Sequence, residues 1–196
     1  MSAILGLFGC GLLCLAAFAA VFRLRRVSIH LRIALMLGAA LAVFVPFGVL
    51  SIAALVRGVT GDLSVTTLVL AGAACVAQLT GRTVISPRDL RALFWLVALG
   101  AVFLYPFALG WTPFDPYALG YGSIGFVAVL LGVTLIAWYF RCNVVVVIVI
   151  AAALAYLAGA YESRNLWDYL IDPLVSLYAI VCLLAAALDR ARSAEA

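Results

Sequence analysis

The apolar positions of this chain are grouped in long blocks separated by short polar stretches, without the short period of an amphipathic element. Seven such blocks cover residues 3–22, 33–56, 63–79, 92–110, 117–140, 143–160 and 173–188. A helix needs about 20 mainly apolar residues to cross a hydrocarbon core of about 30 Å. The pattern therefore predicts an all-α, polytopic integral membrane protein with seven transmembrane helices.

Two local signals shape this prediction. A single helix over residues 117–160 would be about 66 Å long at 1.5 Å per residue, roughly twice the membrane thickness. The chain must therefore turn within "FRCN" at 140–143, and Asn143 suits a turn because asparagine tolerates left-handed backbone geometry. Pro46 is expected to kink the second helix, since proline removes a backbone donor.

Composition supports the same class of protein. The 196 residues are 68% hydrophobic and 10% charged, with a mean hydropathy of +1.28. Soluble domains are about 45–50% apolar and about 25% charged. We therefore expect residues 1–196 to form a single transmembrane helical domain with short loops.

The arginines predict an orientation, because cytoplasmic loops of membrane proteins are enriched in basic residues. All twelve basic residues are arginine. With the N-terminus outside and the C-terminus inside, only Arg57 and Arg164 fall on the outer side. The first block carries its basic cluster, "RLRR", after the apolar run, so we interpret it as a span and not as a signal peptide. The short loops and the composition favour a multi-pass protein of a bacterial inner membrane.

The stretch "YESRNLWDYLIDPLVSLY" at 161–178 is unusually rich in carboxylates and aromatic rings. Its apolar and polar residues fall on opposite sides of a helix: Leu166, Trp167, Leu170 and Ile171 against Glu162, Asn165, Asp168 and Tyr169. This arrangement predicts one short interfacial helix near 162–171, with its carboxylate face turned outward.

Two predicted outer segments share the pattern D-P-x-x-x-x-Y, at 115–121 and 172–178, and each precedes a predicted span. Aspartate accepts hydrogen bonds from free N–H groups at a helix start, and proline is tolerated at the first helical position. A carboxylate there also meets the positive end of the helix dipole. We interpret Asp115 and Asp172 first as helix N-caps.

The predicted outer surface also contains the candidate site residues. Carboxylates that could act as acid, base or cation ligand are Asp115, Glu162, Asp168 and Asp172. Aromatic residues that could contact a substrate are Trp111, Tyr117, Trp167 and Tyr169. Tryptophan and tyrosine also gather at membrane interfaces for structural reasons, so either role is open.

No metal, cofactor or nucleic acid is expected. The five cysteines lie within or beside apolar blocks and lack the spacing of a metal or redox site. His30 is the single histidine. The sequence "GYGSIG" at 120–125 matches GxGxxG but follows no strand, so we interpret it as helix packing.

Three functions remain open, and whether any reaction is catalysed is not decided. The favoured one is a non-catalytic membrane subunit or accessory protein that organises a larger inner-membrane assembly. Small residues such as Gly6, Gly9 and Gly11 would let its helices approach another membrane protein or a second copy. The alternatives are an enzyme or binder for a lipid-linked or sugar-containing substrate at the outer face, and a channel or carrier for a neutral or lipid-like solute.

Overall fold

The fold is all-α, as predicted. The computed structural model describes residues 2–110 and 113–195; it is 78% helical and contains no strand within these ranges. The helices there are α1 Ser2–Val21, α2 Ile29–Phe44, α3 Ile52–Thr60, α4 Val65–Thr80, α5 Pro87–Ala108, α6 Ile124–Tyr139, α7 Asn143–Leu157, α8 Leu166–Leu170 and α9 Pro173–Glu195. Two short 3-10 turns span Leu24–Arg26 and Pro116–Gly120.

Three of the helices are long and apolar enough to cross a membrane: Ala3–Val21, Pro87–Ala108 and Pro173–Ala194. Four further apolar helices, α2, α4, α6 and α7, are shorter. A helix of 16 residues is about 24 Å long, less than a hydrocarbon core of about 30 Å. These long apolar helices are compatible with a membrane protein, while the number of spans stays a prediction.

Helices α1 and α4 lie side by side and run in the same direction. Gly9 faces Leu68, and further along both helices the Cys75 thiol approaches the Leu12 carbonyl at 3.9 Å. A Cβ atom on Gly9 would lie 2.8 Å from Leu68, so the absence of a side chain allows this close packing. Small residues of α1 are therefore used within this chain.

The second apolar block does not form one helix over 33–56. Helix α2 ends at Phe44, a turn occupies residues 45–51, and α3 begins at Ile52. Pro46 has no N–H and disfavours helical geometry at Val45, and Gly48 has a φ of +76°, which glycine adopts without strain. The prediction of a kinked helix is wrong because the chain reverses there.

The turn between α6 and α7 is confirmed, with a different left-handed residue than expected. Arg141 has a φ of 56°, while Asn143 is the first residue of α7. The Phe140 carbonyl accepts a hydrogen bond of 3.1 Å from Arg88 on α5. Arg88 thus ties the start of α5 to the end of α6.

Arg32 organises the same end of the bundle. Its side chain is buried and donates to four backbone carbonyls, those of Leu24, Arg25, Val27 and Leu79, at 2.8–3.1 Å. A guanidinium presents five N–H donors, and the carboxyl end of a helix attracts positive charge. We call this the arginine end of the bundle, and the opposite end, which carries Asp62, Asp115, Glu162, Asp168 and Asp172, the acidic end.

The predicted interfacial helix near 162–171 is shorter and more deeply placed than expected. Helix α8 comprises only Leu166–Leu170, and Asn165 and Tyr169 are fully buried. A Cβ on Gly100 would lie 3.6–3.9 Å from side-chain atoms of Ile171 and Trp167. Gly100 is about 12 Å before the end of α5. The apolar side of the segment is buried and Glu162 is exposed, as predicted. The outward placement of Asn165 and Tyr169 is wrong, because both side chains are buried against neighbouring elements.

Candidate functional site

A cleft of about 550 Å³ opens at the acidic end, between the C-termini of α3 and α5 and the N-terminus of α9. Its polar lining includes three carboxylates and three phenols: Asp62, Asp168, Asp172, Tyr105, Tyr117 and Tyr161. Within the residues that the structure describes, no group of three histidine, cysteine or acidic side chains is arranged to hold a metal ion.

Asp172 is the buried anchor of this cleft. Its Oδ1 accepts a 2.9 Å hydrogen bond from the Val175 N–H, which confirms the N-cap predicted for α9. Its Oδ2 accepts three more, from the Ser64 N–H at 2.9 Å, the Ser64 hydroxyl at 2.8 Å and the Thr67 hydroxyl at 2.5 Å. One carboxylate therefore joins the first turns of two helices.

Ser64 is itself the N-cap of α4, since its hydroxyl oxygen accepts from the Thr67 N–H at 3.2 Å. The Thr66 hydroxyl donates to the carbonyl of Leu170, at the end of α8. The negative charge of Asp172 lies against the positive ends of both α4 and α9. Helix dipoles and four donors thus offset the desolvation of this carboxylate.

Asp168 is half-buried on one wall of the cleft. Its Oδ2 accepts from the Tyr117 hydroxyl at 2.9 Å and from the Ser163 hydroxyl at 2.5 Å. Burial raises the pKa of Tyr117, and the hydrogen bond to Asp168 raises that pKa further. The phenol therefore stays protonated at neutral pH and keeps donating to Asp168.

Tyr161 and Tyr169 stack at the edge of the cleft, with ring centroids 4.6 Å apart. The Tyr169 hydroxyl accepts from the Tyr161 N–H and donates to the Ser163 carbonyl, both at 3.1 Å. Burial raises the pKa of Tyr161, and the negative charge of Asp62 adds to that shift. Tyr169 fixes the loop from which Tyr161 and Ser163 reach the cleft.

Trp167 lies beneath the cleft, in the packed interior. Its indole N–H donates to the Pro116 carbonyl at 3.0 Å, and its ring packs on Phe126 with centroids 4.4 Å apart. The Asn165 amide donates to the Tyr117 carbonyl at 2.8 Å, and a Cβ on Gly120 would overlap that amide. These contacts hold the turn that carries Tyr117.

Arg57 closes the other side of the cleft. It forms an ion pair of 2.7 Å with Asp62 and a longer one of 3.6 Å with the exposed Glu162. A second groove of about 510 Å³ runs along Arg57 and shares Gly61 and Asp62 with the cleft. The two spaces are therefore neighbours separated by the Arg57–Asp62 pair.

The structure brings some predicted site residues together and separates others. Asp168, Asp172 and Tyr117 line the cleft, whereas Glu162 borders only the neighbouring groove. Asp115 is exposed and accepts from the Tyr117 N–H at 2.9 Å, so it caps the 3-10 turn and does not open α6 as predicted. Trp111 lies outside the described residues.

Five residues of this region were not among the sequence candidates: Arg57, Asp62, Tyr105, Tyr161 and Ser163. The sequence "GDLS" at 61–64 does contain a signal, because a carboxylate precedes the serine that begins a span. Nothing local indicates that this segment meets residues 161–172, since the contact depends on the packing of α4 against α8 and α9.

Comparison of the chain with protein-family models, with curated proteins and with solved structures gives no match. The proposals below therefore depend on the geometry of the cleft and its surroundings.

Proposed function

We propose that this chain is a multi-pass bacterial inner-membrane protein with seven spans, its acidic end outside and its arginine end in the cytoplasm. The directions of α1 and α4 support alternation, because these helices run in parallel and α2 is the one apolar helix of more than nine residues between them. The arginine end holds most of the basic side chains, as cytoplasmic surfaces do. A phosphatase reporter fused after residue 196, which is active only outside the cytoplasm, is expected to be inactive. An active fusion contradicts this orientation.

The function that the geometry supports best is binding, in the cleft, of the polar part of a lipid-linked or sugar-containing molecule. The main observation behind this proposal is the cleft itself. Its volume of about 550 Å³ falls in the usual range of ligand pockets, roughly 300–1,000 Å³. Carboxylate oxygens accept hydrogen bonds from hydroxyl and amine groups. Phenol rings supply the apolar faces on which sugar rings pack.

Asp168 and Tyr117 are the residues that we assign to ligand contact. Asp172 and Asp62 are occupied, the first by four donors and the second by Arg57. Asp168 is half-buried and held by two hydroxyl groups, both on one of its oxygens. A carboxylate has about four acceptor positions, so Asp168 retains capacity for a ligand donor.

The test is native mass spectrometry of the protein released from lipid nanodiscs, with bound molecules identified after extraction. We expect the wild type to retain a lipid-linked or glycosylated molecule, and Asp168→Asn and Tyr117→Phe to retain less of it. Asp115→Asn is the matched control, because this exposed carboxylate at the same end does not line the cleft. Equal retention by all four proteins, or none by the wild type, contradicts binding in the cleft.

The accessory-subunit function is a second proposal, supported by the surface of α2. A Cβ on Gly38 would have no neighbour within 4 Å among the described residues, and Leu37 and Leu41 beside it are exposed. Small residues on a membrane helix allow close approach of another helix. Purification in mild detergent should recover a second membrane chain or a dimer, and Gly38→Leu should remove it. A wild type that runs as a monomer contradicts the proposal. Transport of a neutral or lipid-like solute stays a prediction.

A further inference from the structure

The apolar and charged side chains of α3 are distributed as in a helix that lies in lipid. Its exposed side carries Ile52, Leu55 and Val59, the last with 88% of its surface accessible. Its inner side carries Arg57, which pairs with Asp62 and lies 24% exposed. A helix at an aqueous surface would turn its charged residue outward. The arrangement in α3 is the reverse.

The contacts of α3 and its turn also place them beside the apolar first half of α1. The ring of Phe44, the last residue of α2, packs on Phe8 with centroids 5.4 Å apart, and a Cβ on Gly11 would overlap it. At the other end of α3, the Thr60 hydroxyl lies 3.8 Å from the Cys10 thiol. Gly11 is about 14 Å along the helix from Ser2. The segment 45–60 therefore lies at a depth where α1 is already a candidate span.

The groove of about 510 Å³ between α1 and α3 leads from this apolar surface to the Arg57–Asp62 pair, which borders the cleft. Leu7 of α1 and Ala54 and Gly58 of α3 form its apolar wall. Gly58 is exposed, and no atom of the residues that the structure describes lies within 4 Å of a Cβ built on it. The groove therefore opens toward the outer surface of α3. At its other end the groove reaches Asp62, which also lines the cleft.

We propose that the ligand of the cleft is a lipid of the outer leaflet, with its headgroup in the cleft and an acyl chain in the α1–α3 groove. This inference depends on the proposed binding function and names its ligand class. The two spaces are adjacent, since Gly61 and Asp62 line both of them, and this arrangement fits a molecule with one polar and one apolar part that passes the Arg57–Asp62 pair. The depth and outward apolar face of α3 bring the groove into contact with lipid.

The charges around the cleft select the headgroup. Asp62, Asp168, Asp172 and Glu162 contribute four negative charges near the two spaces, and Arg57 is the cation paired among them. A net anionic headgroup would be repelled, because like charges are costly at short range in a poorly hydrated site. The ligand is therefore a lipid whose headgroup offers hydroxyl or ammonium donors and carries no net negative charge.

Three tryptophan variants test this assignment on the full-length protein. Ala108→Trp fills the cleft from the end of α5, and Gly58→Trp fills the groove from the exposed side of α3. Gly132→Trp is the control, because Gly132 lies on the apolar helix α6, lines neither space and has no described neighbour within 4 Å of a built Cβ. Each is reconstituted in nanodiscs with equal parts of phosphatidylethanolamine, phosphatidylglycerol and monoglucosyl diacylglycerol. Retained lipids are then counted by native mass spectrometry, after circular dichroism has established equal helicity.

We expect the wild type and Gly132→Trp to retain phosphatidylethanolamine or the glucosyl lipid in excess of phosphatidylglycerol. Ala108→Trp and Gly58→Trp should lose most of this retained lipid. Which of the two lipids is retained distinguishes an ammonium from a sugar donor. Loss in Ala108→Trp with full retention in Gly58→Trp overturns the groove assignment and leaves cleft binding intact. Retention by all variants overturns both proposals, and selective retention of phosphatidylglycerol overturns the headgroup assignment.

Discussion

Substitution of Asp172 separates a simple helix cap from a carboxylate that joins two helices. At an ordinary N-cap, asparagine replaces aspartate with little loss, because a single acceptor oxygen is enough. Asp172 uses both oxygens, Oδ1 for the Val175 N–H and Oδ2 for three donors that include the Ser64 N–H. Asparagine has one acceptor oxygen, so its NH₂ group must face one of these backbone donors.

The expected magnitudes follow from the donors left without an acceptor. Each buried unpaired donor costs about 1–3 kcal/mol. Asp172→Asn leaves one backbone N–H unpaired and should lower the free energy of unfolding by about 1–3 kcal/mol. Asp172→Ala leaves the N–H groups of both Ser64 and Val175 unpaired, and we expect a loss of about 2–6 kcal/mol. The lower values apply where water from the cleft reaches these groups.

The assay is equilibrium unfolding in dodecyl maltoside micelles with increasing SDS, followed by circular dichroism. Asp115→Asn is the control, because this exposed carboxylate accepts one hydrogen bond, from the Tyr117 N–H. Surface changes of this kind stay within about 0.5 kcal/mol. If Asp172→Asn is as stable as Asp115→Asn, the carboxylate does not join α4 to α9 in the way described.

The other predictions use the same unfolding measurement. Gly120→Ala should be destabilising by several kcal/mol or prevent folding, because its Cβ would overlap a buried amide. Gly125→Ala is the control and should stay close to wild type in stability, because its Cβ would meet an ordinary contact of 3.7 Å. Arg32→Ala should cost about 2–3 kcal/mol, since four carbonyls lose their donor and water can replace it at the three that are only partly buried. The exposed Arg91→Ala should change stability by less than about 0.5 kcal/mol. The pKa of Tyr117 is higher in the folded state than in the unfolded state. The contribution of Tyr117 to the free energy of unfolding is therefore complete below about pH 10 and is lost as the pH rises through the folded-state pKa. Tyr117→Phe should therefore reduce the decline in stability above pH 10, and an identical decline contradicts this assignment.

The helices of this protein were predictable from the sequence because a long apolar run in lipid must satisfy its own backbone. The turn at 140–143 could be predicted because a single helix over residues 117–160 would be longer than the membrane is thick. The cap at Asp172 followed from the local pattern D-P, since capping involves groups only three residues apart. These properties depend on neighbours along the chain, so a single sequence contains the information that they need.

The break in the second apolar block was harder to predict from the sequence than the helices, although its cause is local. Pro46 indicated a disturbance, but a kink and a reversal differ only in how α3 packs afterwards. That choice depends on the contacts of α3 with α1, where the Thr60 hydroxyl lies 3.8 Å from the Cys10 thiol and Arg57 lies against Gly6. A helix continuing straight through residues 45–51 would carry Arg57 and Thr60 away from α1.

The cleft itself was decided by the tertiary structure. Ser64 and Asp172 are 108 residues apart, and Tyr117 and Asp168 are 51 apart. Sequence analysis identified the carboxylates but placed Asp115 among them and omitted Asp62. Chain position predicts which residues approach the same end of the bundle, because successive apolar spans are expected to alternate in direction. Which of them meet there depends on side-chain packing between helices distant in the sequence, and that packing has no local signature.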